Sequence, residues 1–141
     1  MPQSDQTLVI TRQFSASPET VFDAWTDPNK MRAWWGLKDA KCPTVEIDLR
    51  IGGAYRIANE LPGGRIIWIT GYYKEISRPS RLTYSWSVDE GPEETVAISF
   101  EPNAGGTCLT IHHEGITSAD IYAGHQTGWT DSLSTLAAIL A

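Results

Sequence analysis

Residues 117–140, TSADIYAGHQTGWTDSLSTLAAIL, decide the fold. At 100° per residue, Ile121, His125, Trp129, Leu133, Leu136 and Leu140 fall in one sector about 120° wide, with Thr127, Asp131 and Ser134 opposite. The spacing predicts a long amphipathic helix whose stripe needs a large apolar partner. Thr117 or Ser118 can cap it, and Asp120 sits in the first turn, where the helix dipole favours an acid. His125 is the odd member, a titratable ring on an otherwise apolar stripe, so any chemistry is expected near it. Gly124 and Gly128 each cost roughly 1 kcal/mol relative to Ala inside a helix. Either a close approach of the helix to a sheet or room for a ligand beside it would compensate.

Everything upstream must supply the partner surface. TLVITRQF, residues 7–14, has strand composition. Ser17-Pro18-Glu19 then reads as cap, first helical position and dipole-favoured acid, opening a short helix with Val21, Phe22 and Trp25 on one face. Asp27-Pro28 repeats that signal before a second short helix carrying Met31, Trp34 and Trp35. From Lys41 the period becomes two. Val45, Ile47 and Leu49 alternate with polar residues, Gly52-Gly53 turns the chain, residues 54–60 form a strand, and LPGGR leads to the run 66–76. Leu82, Tyr84, Trp86 and Val88 form the cleanest alternation; DEGPEE reads as a break; Val96, Ile98 and Phe100 mark the next strand; and Leu109, Ile111 and His113 alternate with Cys108, Thr110 and His112. The order is one strand, two short helices, about six antiparallel strands and one long helix. This is α+β in one domain spanning residues 1–141, solved most economically by curving the sheet around the helix.

A chain of 141 residues can bury a core without staples. Its net charge of −6, without a Lys/Arg cluster, argues against nucleic acid and against anionic membrane surfaces. MPQSDQT lacks the form of a leader and no apolar run reaches the length of a membrane span, so a cytoplasmic location is expected. Cys42 and Cys108 fit no metal or redox spacing and read as reduced thiols.

Five segments carry a resemblance: SASPETVFDAWTDPNKMRAWW, VEIDLRIGGAYR, GYYKEISRPSRLTYSW, TIHHEGI and HQTGWTDSLSTLAAIL. In order and spacing they resemble the START-like, or SRPBCC, superfamily, and within it the domain homologous to the heat-shock-protein-90 ATPase activator. The resemblance covers nearly the whole chain. It implies the helix-grip fold shared with the birch-pollen-allergen group, in which a curved sheet holds a long C-terminal helix around a hydrophobic cavity. Such scaffolds serve carriers, receptors, cyclases and chaperone co-regulators, so the site must be argued separately. The eukaryotic activator has a further N-terminal domain that engages the chaperone, and this chain has room only for the later one. A chaperone partner is therefore the less favoured expectation.

His113 shares the inward phase of Leu109 and Ile111, and His125 the helix stripe, so both rings can reach one interior. Imidazole can meet a phenol, enol or carboxylate there, or act as acid and base. The alternative is a pair of core histidines satisfied by backbone or tyrosine hydroxyls. Trp25, Trp35, Tyr55, Tyr84, Trp86, Tyr122 and Trp129 complete the candidate ligand-binding set, suited to a lipophilic molecule with one polar end, or else are core. His112, His113 and Glu114 resemble a metal cluster, but strand neighbours point to opposite faces, so no metal is expected. Arg50 and Arg56 fall on the polar side and read as salt-bridging residues. No nucleophile elbow, nucleotide loop or paired carboxylates point to an enzyme, and no cofactor is expected. The leading expectation is binding of a small hydrophobic or aromatic molecule. A cyclase- or hydrolase-like enzyme using the two histidines and a chaperone module are the alternatives, and a homodimer is a possibility to test.

Overall fold

The computed structural model describes residues 6–36 and 40–140; most of the N-terminal segment read for a leader lies outside them. Strand β1 (Gln6–Phe14) is followed by helices α1 (Pro18–Thr26) and α2 (Pro28–Trp34). Strands β2 (Val45–Ile47), β3 (Ala54–Glu60), β4 (Ile66–Ser77), β5 (Arg81–Val88), β6 (Glu94–Asn103) and β7 (Gly106–Ile116) lead to α3 (Ala119–Ile139). The strands form one antiparallel sheet in the order β1-β7-β6-β5-β4-β3-β2. This is the helix-grip architecture, an α+β fold whose curved sheet wraps α3. Among the described residues no helix is long and apolar enough to cross a membrane.

The local signals work as their chemistry requires. Ser17 Oγ accepts from the Thr20 N–H at 3.3 Å, Asp27 Oδ1 from Asn29 N–H at 2.9 Å, and Ser118 Oγ from Ile121 N–H at 3.1 Å. Each satisfies a backbone donor orphaned at a helix start. The α1 stripe buries Val21, Phe22 and Trp25 against the sheet, where Trp25 stacks on Trp129 of α3 at 6.0 Å. Trp34 donates its indole N–H to the Ala24 carbonyl at 3.0 Å, locking α2 onto α1. In α3, Trp129, Leu133 and Leu136 are buried.

Three expectations need correction. Ile121, in the first turn of α3, is exposed, and burial along the stripe begins with half-buried His125 and buried Trp129. Leu49 is exposed as well, since β2 stops at Ile47 and the chain turns before the alternation can be used. Trp35 lies at the C-cap of α2 rather than inside it, yet is buried.

Arg50 and Arg56 lie on the outer face. Arg50 pairs with Asp48 at 2.8 Å and Arg56 with Glu46 at 3.1 Å, and the Arg56 guanidinium also covers Trp68. Cys42 and Cys108 are free thiols, and burial pushes the Cys42 thiol up to about 11, leaving it protonated and unreactive.

Candidate functional site

Three adjacent strands and the helix converge on one polar cluster inside the grip. Trp86 on β5 pairs in register with Glu94, the first residue of β6, and Val96, two residues on, pairs with His113 of β7. Period two therefore aims Trp86, Glu94 and His113 at the same interior. Helix α3 lays His125 and Trp129, one turn apart, across them.

The bonds form a chain with a defined polarity. The Trp129 indole N–H donates to His113 Nδ1 at 3.1 Å, and His113 Nε2 lies 2.6 Å from Glu94 Oε1. His125 Nε2 reaches the same carboxylate oxygen at 2.8 Å, and the two imidazoles stack at 4.5 Å with 19° between planes. An indole nitrogen only donates, so His113 Nδ1 carries no proton and Nε2 must be the N–H facing Glu94. An ionised carboxylate only accepts, so His125 also presents Nε2–H.

Electrostatics agree with this reading. Burial opposes ionisation of Glu94, but the hydrogen bonds donated by His113 and His125 lead the effects that outweigh it and draw the carboxyl down to about 2. His113 is displaced the other way. Burial holds its ring below the ordinary imidazole value despite the Glu94 bond, and the neighbouring His125 adds to the effect. It is thus a neutral donor locked from both sides. Nitrogen NMR is expected to find His113 in the Nε2–H tautomer, with its half-protonation point below 6.5. A doubly protonated ring at that pH would refute the assignment.

Glu94, His113 and His125 bring three potential ligand atoms within 4.8 Å of one another. The surroundings do not fit a metal. A histidine that ligates through Nε2 must carry its proton on Nδ1 and needs an acceptor there. Here Nδ1 of His113 meets an indole donor, so coordination would set N–H against N–H. His112 is exposed on the opposite face from buried His113, as strand geometry requires, and takes no part.

Beside the cluster lies a cavity of about 190 Å³ between the sheet and α3. Trp35, Leu61, Ile67, Ile69, Trp86, Val88 and Trp129 give it apolar walls, with Asn59, His125 and Ser132 as polar side chains. Ser132 holds one wall in place, accepting from the Gly36 N–H at 3.0 Å and donating to the Gly36 carbonyl at 3.1 Å. Gly124 and Gly128 line it from the helix, and a Cβ at Gly124 would meet nothing within 4 Å. At Gly124 the cost of helical glycine therefore corresponds to open space beside the helix, not to close packing against the sheet. The Trp86 N–H is buried with no acceptor among the described residues, a state costing about 1–3 kcal/mol.

Of the nine expected ligand-binding residues, Trp35, Trp86, His125 and Trp129 line this cavity. Trp25, Tyr55 and Tyr84 instead surround a separate void of about 10 Å³, where Tyr84 OH accepts from Trp25 and Tyr55 OH donates to the Ser85 carbonyl. His113 stands behind His125, fully buried and away from the cavity wall. Tyr122 is half-buried and packs against the core. The residue that sequence reading missed is Glu94, placed in the charged break DEGPEE. The signal was present, because Glu94 shares the phase of Val96, Ile98 and Phe100, but a charge that follows Gly91-Pro92 in a run of acids reads as loop.

Comparison with known proteins places these features. The profile of a family described as "Activator of Hsp90 ATPase homolog 1-like protein" matches residues 15–141. Among solved structures, protein CV1439 from Chromobacterium violaceum is 31% identical, with a TM-score of 0.89 and coverage of 95% of this chain and 96% of that one. The AHSA1 protein from Silicibacter pomeroyi is 27% identical at a TM-score of 0.84, covering 96% and 97% of the two chains. CalU16 from Micromonospora echinospora is 26% identical at 0.75, covering 97% of this chain and 77% of its own. No curated protein sequence matches.

Proposed function

We propose, from the premise that this chain belongs to the Activator of Hsp90 ATPase homolog 1-like family, that it is a cytoplasmic binding protein for a small aromatic molecule held between the sheet and α3. The observation that carries this reading is the cavity itself, apolar on most sides with His125 in its wall. A closed apolar cavity of about 150 Å³ holds one benzene ring. The volume of about 190 Å³ here suits a single ring with a few substituent atoms and falls below the range typical of drug-sized ligands. Trp35, Trp86 and Trp129 offer flat faces to such a ring. Of the polar side chains in the wall, Ser132 is committed to Gly36, which leaves His125 and Asn59 to orient the ligand.

The test is a size series followed by thermal shift and native mass spectrometry. Substituted single-ring compounds are expected to raise the melting temperature and be retained at one per chain. Sterols and two-chain lipids are expected to leave it unmoved. A protein indifferent to every single-ring compound at millimolar concentration would refute the proposal.

A further inference from the structure

We propose that the cavity selects a weakly acidic hydroxyl compound, a phenol or enol, and binds it as its anion, with His125 Nδ1 taking up the proton while Glu94 holds the other ring nitrogen. This rests on the ligand-binding reading above and specifies its chemistry.

His125 Nε2–H is committed to Glu94 Oε1 at 2.8 Å, so neutral His125 carries its lone pair on Nδ1. That atom makes no hydrogen bond within the described residues, and the ring stands in the cavity wall. When an acidic hydroxyl meets it, the O–H bond breaks and an Nδ1–H bond forms. The products are an imidazolium and a phenolate or enolate in contact, and no proton leaves the site. The new imidazolium charge lies against an ionised carboxylate already in place, so no group has to reorient to receive it.

The rest of the cluster keeps this a one-proton device. Among the described residues, His125 contacts the titratable groups Glu94 from β6 and His113 from β7 and meets the Trp86 ring of β5 at 5.5 Å; on α3 itself Tyr122 lies one turn before it. A second cation on His113, stacked at 4.5 Å, would repel the imidazolium. Trp129 prevents that by occupying Nδ1 of His113 with a donor. His113 therefore helps keep Glu94 ionised without adding positive charge. The arrangement also discriminates among ligands. A carboxylic acid, already ionised at neutral pH, brings no proton to His125 and adds a second carboxylate beside Glu94. A neutral ring without a hydroxyl gains only burial.

The experiment uses para-nitrophenol, whose phenolate absorbs visible light, and nitrobenzene as the partner lacking the hydroxyl. On the native protein the half-ionisation point of bound para-nitrophenol is expected to fall by at least about one pH unit, a tenfold preference for phenolate over phenol. Nitrobenzene should bind more weakly and without pH dependence. His125→Gln should lose the ionisation shift of bound para-nitrophenol, because a glutamine side chain takes up no proton at this pH. Binding of para-nitrophenol with an unshifted ionisation, or a shift that survives in His125→Gln, would overturn the proton-uptake assignment and leave the cavity reading standing. Failure of both compounds to bind would overturn both.

Discussion

Glu94→Gln is expected to lower the unfolding free energy near neutral pH by about 3 kcal/mol and to erase most of the acid dependence of stability. The carboxyl is buried, yet the hydrogen bonds of His113 and His125 at 2.6 and 2.8 Å pull it from 4.5 down to about 2. A carboxyl depressed by folding stabilises the native state fully above its unfolded value. That contribution is lost as the pH falls from about 4.5 through about 2. His113 acts in the same direction at higher pH. Burial holds its folded value below the ordinary 6.5, so the unfolded chain takes up that proton first and stability begins to fall below about 6.5. The native protein should therefore weaken gently below pH 6.5 and steeply below 4.5. Glutamine retains the volume and one acceptor but neither the charge nor the strength of a charge-assisted bond. Urea unfolding of both proteins across this range decides the matter. Parallel profiles, with the variant losing no more than a few tenths of a kcal/mol, would show that Glu94 is not the keystone of the cluster.

Gly71→Ala should cost about 3 kcal/mol or more, at the upper end of what overpacking does. Strand β4 bends around the grip at this point. Between the pairs Thr70↔Ser87 and Tyr73↔Tyr84 the Tyr72 N–H is taken by Ser85 Oγ at 2.9 Å, and the register of β4 against β5 shifts between Tyr73 and Glu75. A Cβ at residue 71 would be driven into the Ser85 carbonyl and would meet the Tyr55 ring at 2.7 Å. The obstacle is backbone, which cannot swing aside as a flexible side chain would. Ser85 is also fixed by the Tyr55 hydroxyl at 2.6 Å and directly precedes Trp86 in the cavity wall. The variant should thus lose ligand affinity together with stability. An unfolding midpoint close to that of the native protein would mean that the bend yields more easily than the contacts imply.

The same contrast governs how far the site could be read in advance. The inward phase of His113 followed from Leu109 and Ile111, and the placement of His125 from its helical stripe; the structure stacks the two rings. Their division of labour was not legible. It depends on Trp129 donating to one ring and on Glu94 joining both, which are contacts 16, 19 and 31 residues apart. Likewise Tyr55, Tyr84 and Trp25 share apolar faces with Trp86 and Trp129, and periodicity cannot separate residues that surround a void of about 10 Å³ from those that line a cavity of about 190 Å³.

By itself the sequence determined the elements, their faces and their ends, because periods of two and 3.6 and the capping of orphaned N–H groups are set by backbone geometry within a few residues. It also determined that a one-sided sheet and one striped helix had to cover each other. The tertiary structure alone decided that a glutamate from a charged run would be drawn inside, which histidine would face the cavity, and where the grip would stay open. Those outcomes depend on strand register and on where α3 crosses the sheet. Both are settled by packing among residues far apart in the chain, where a shift of one residue or a few ångströms exchanges a buried carboxylate for a solvated one.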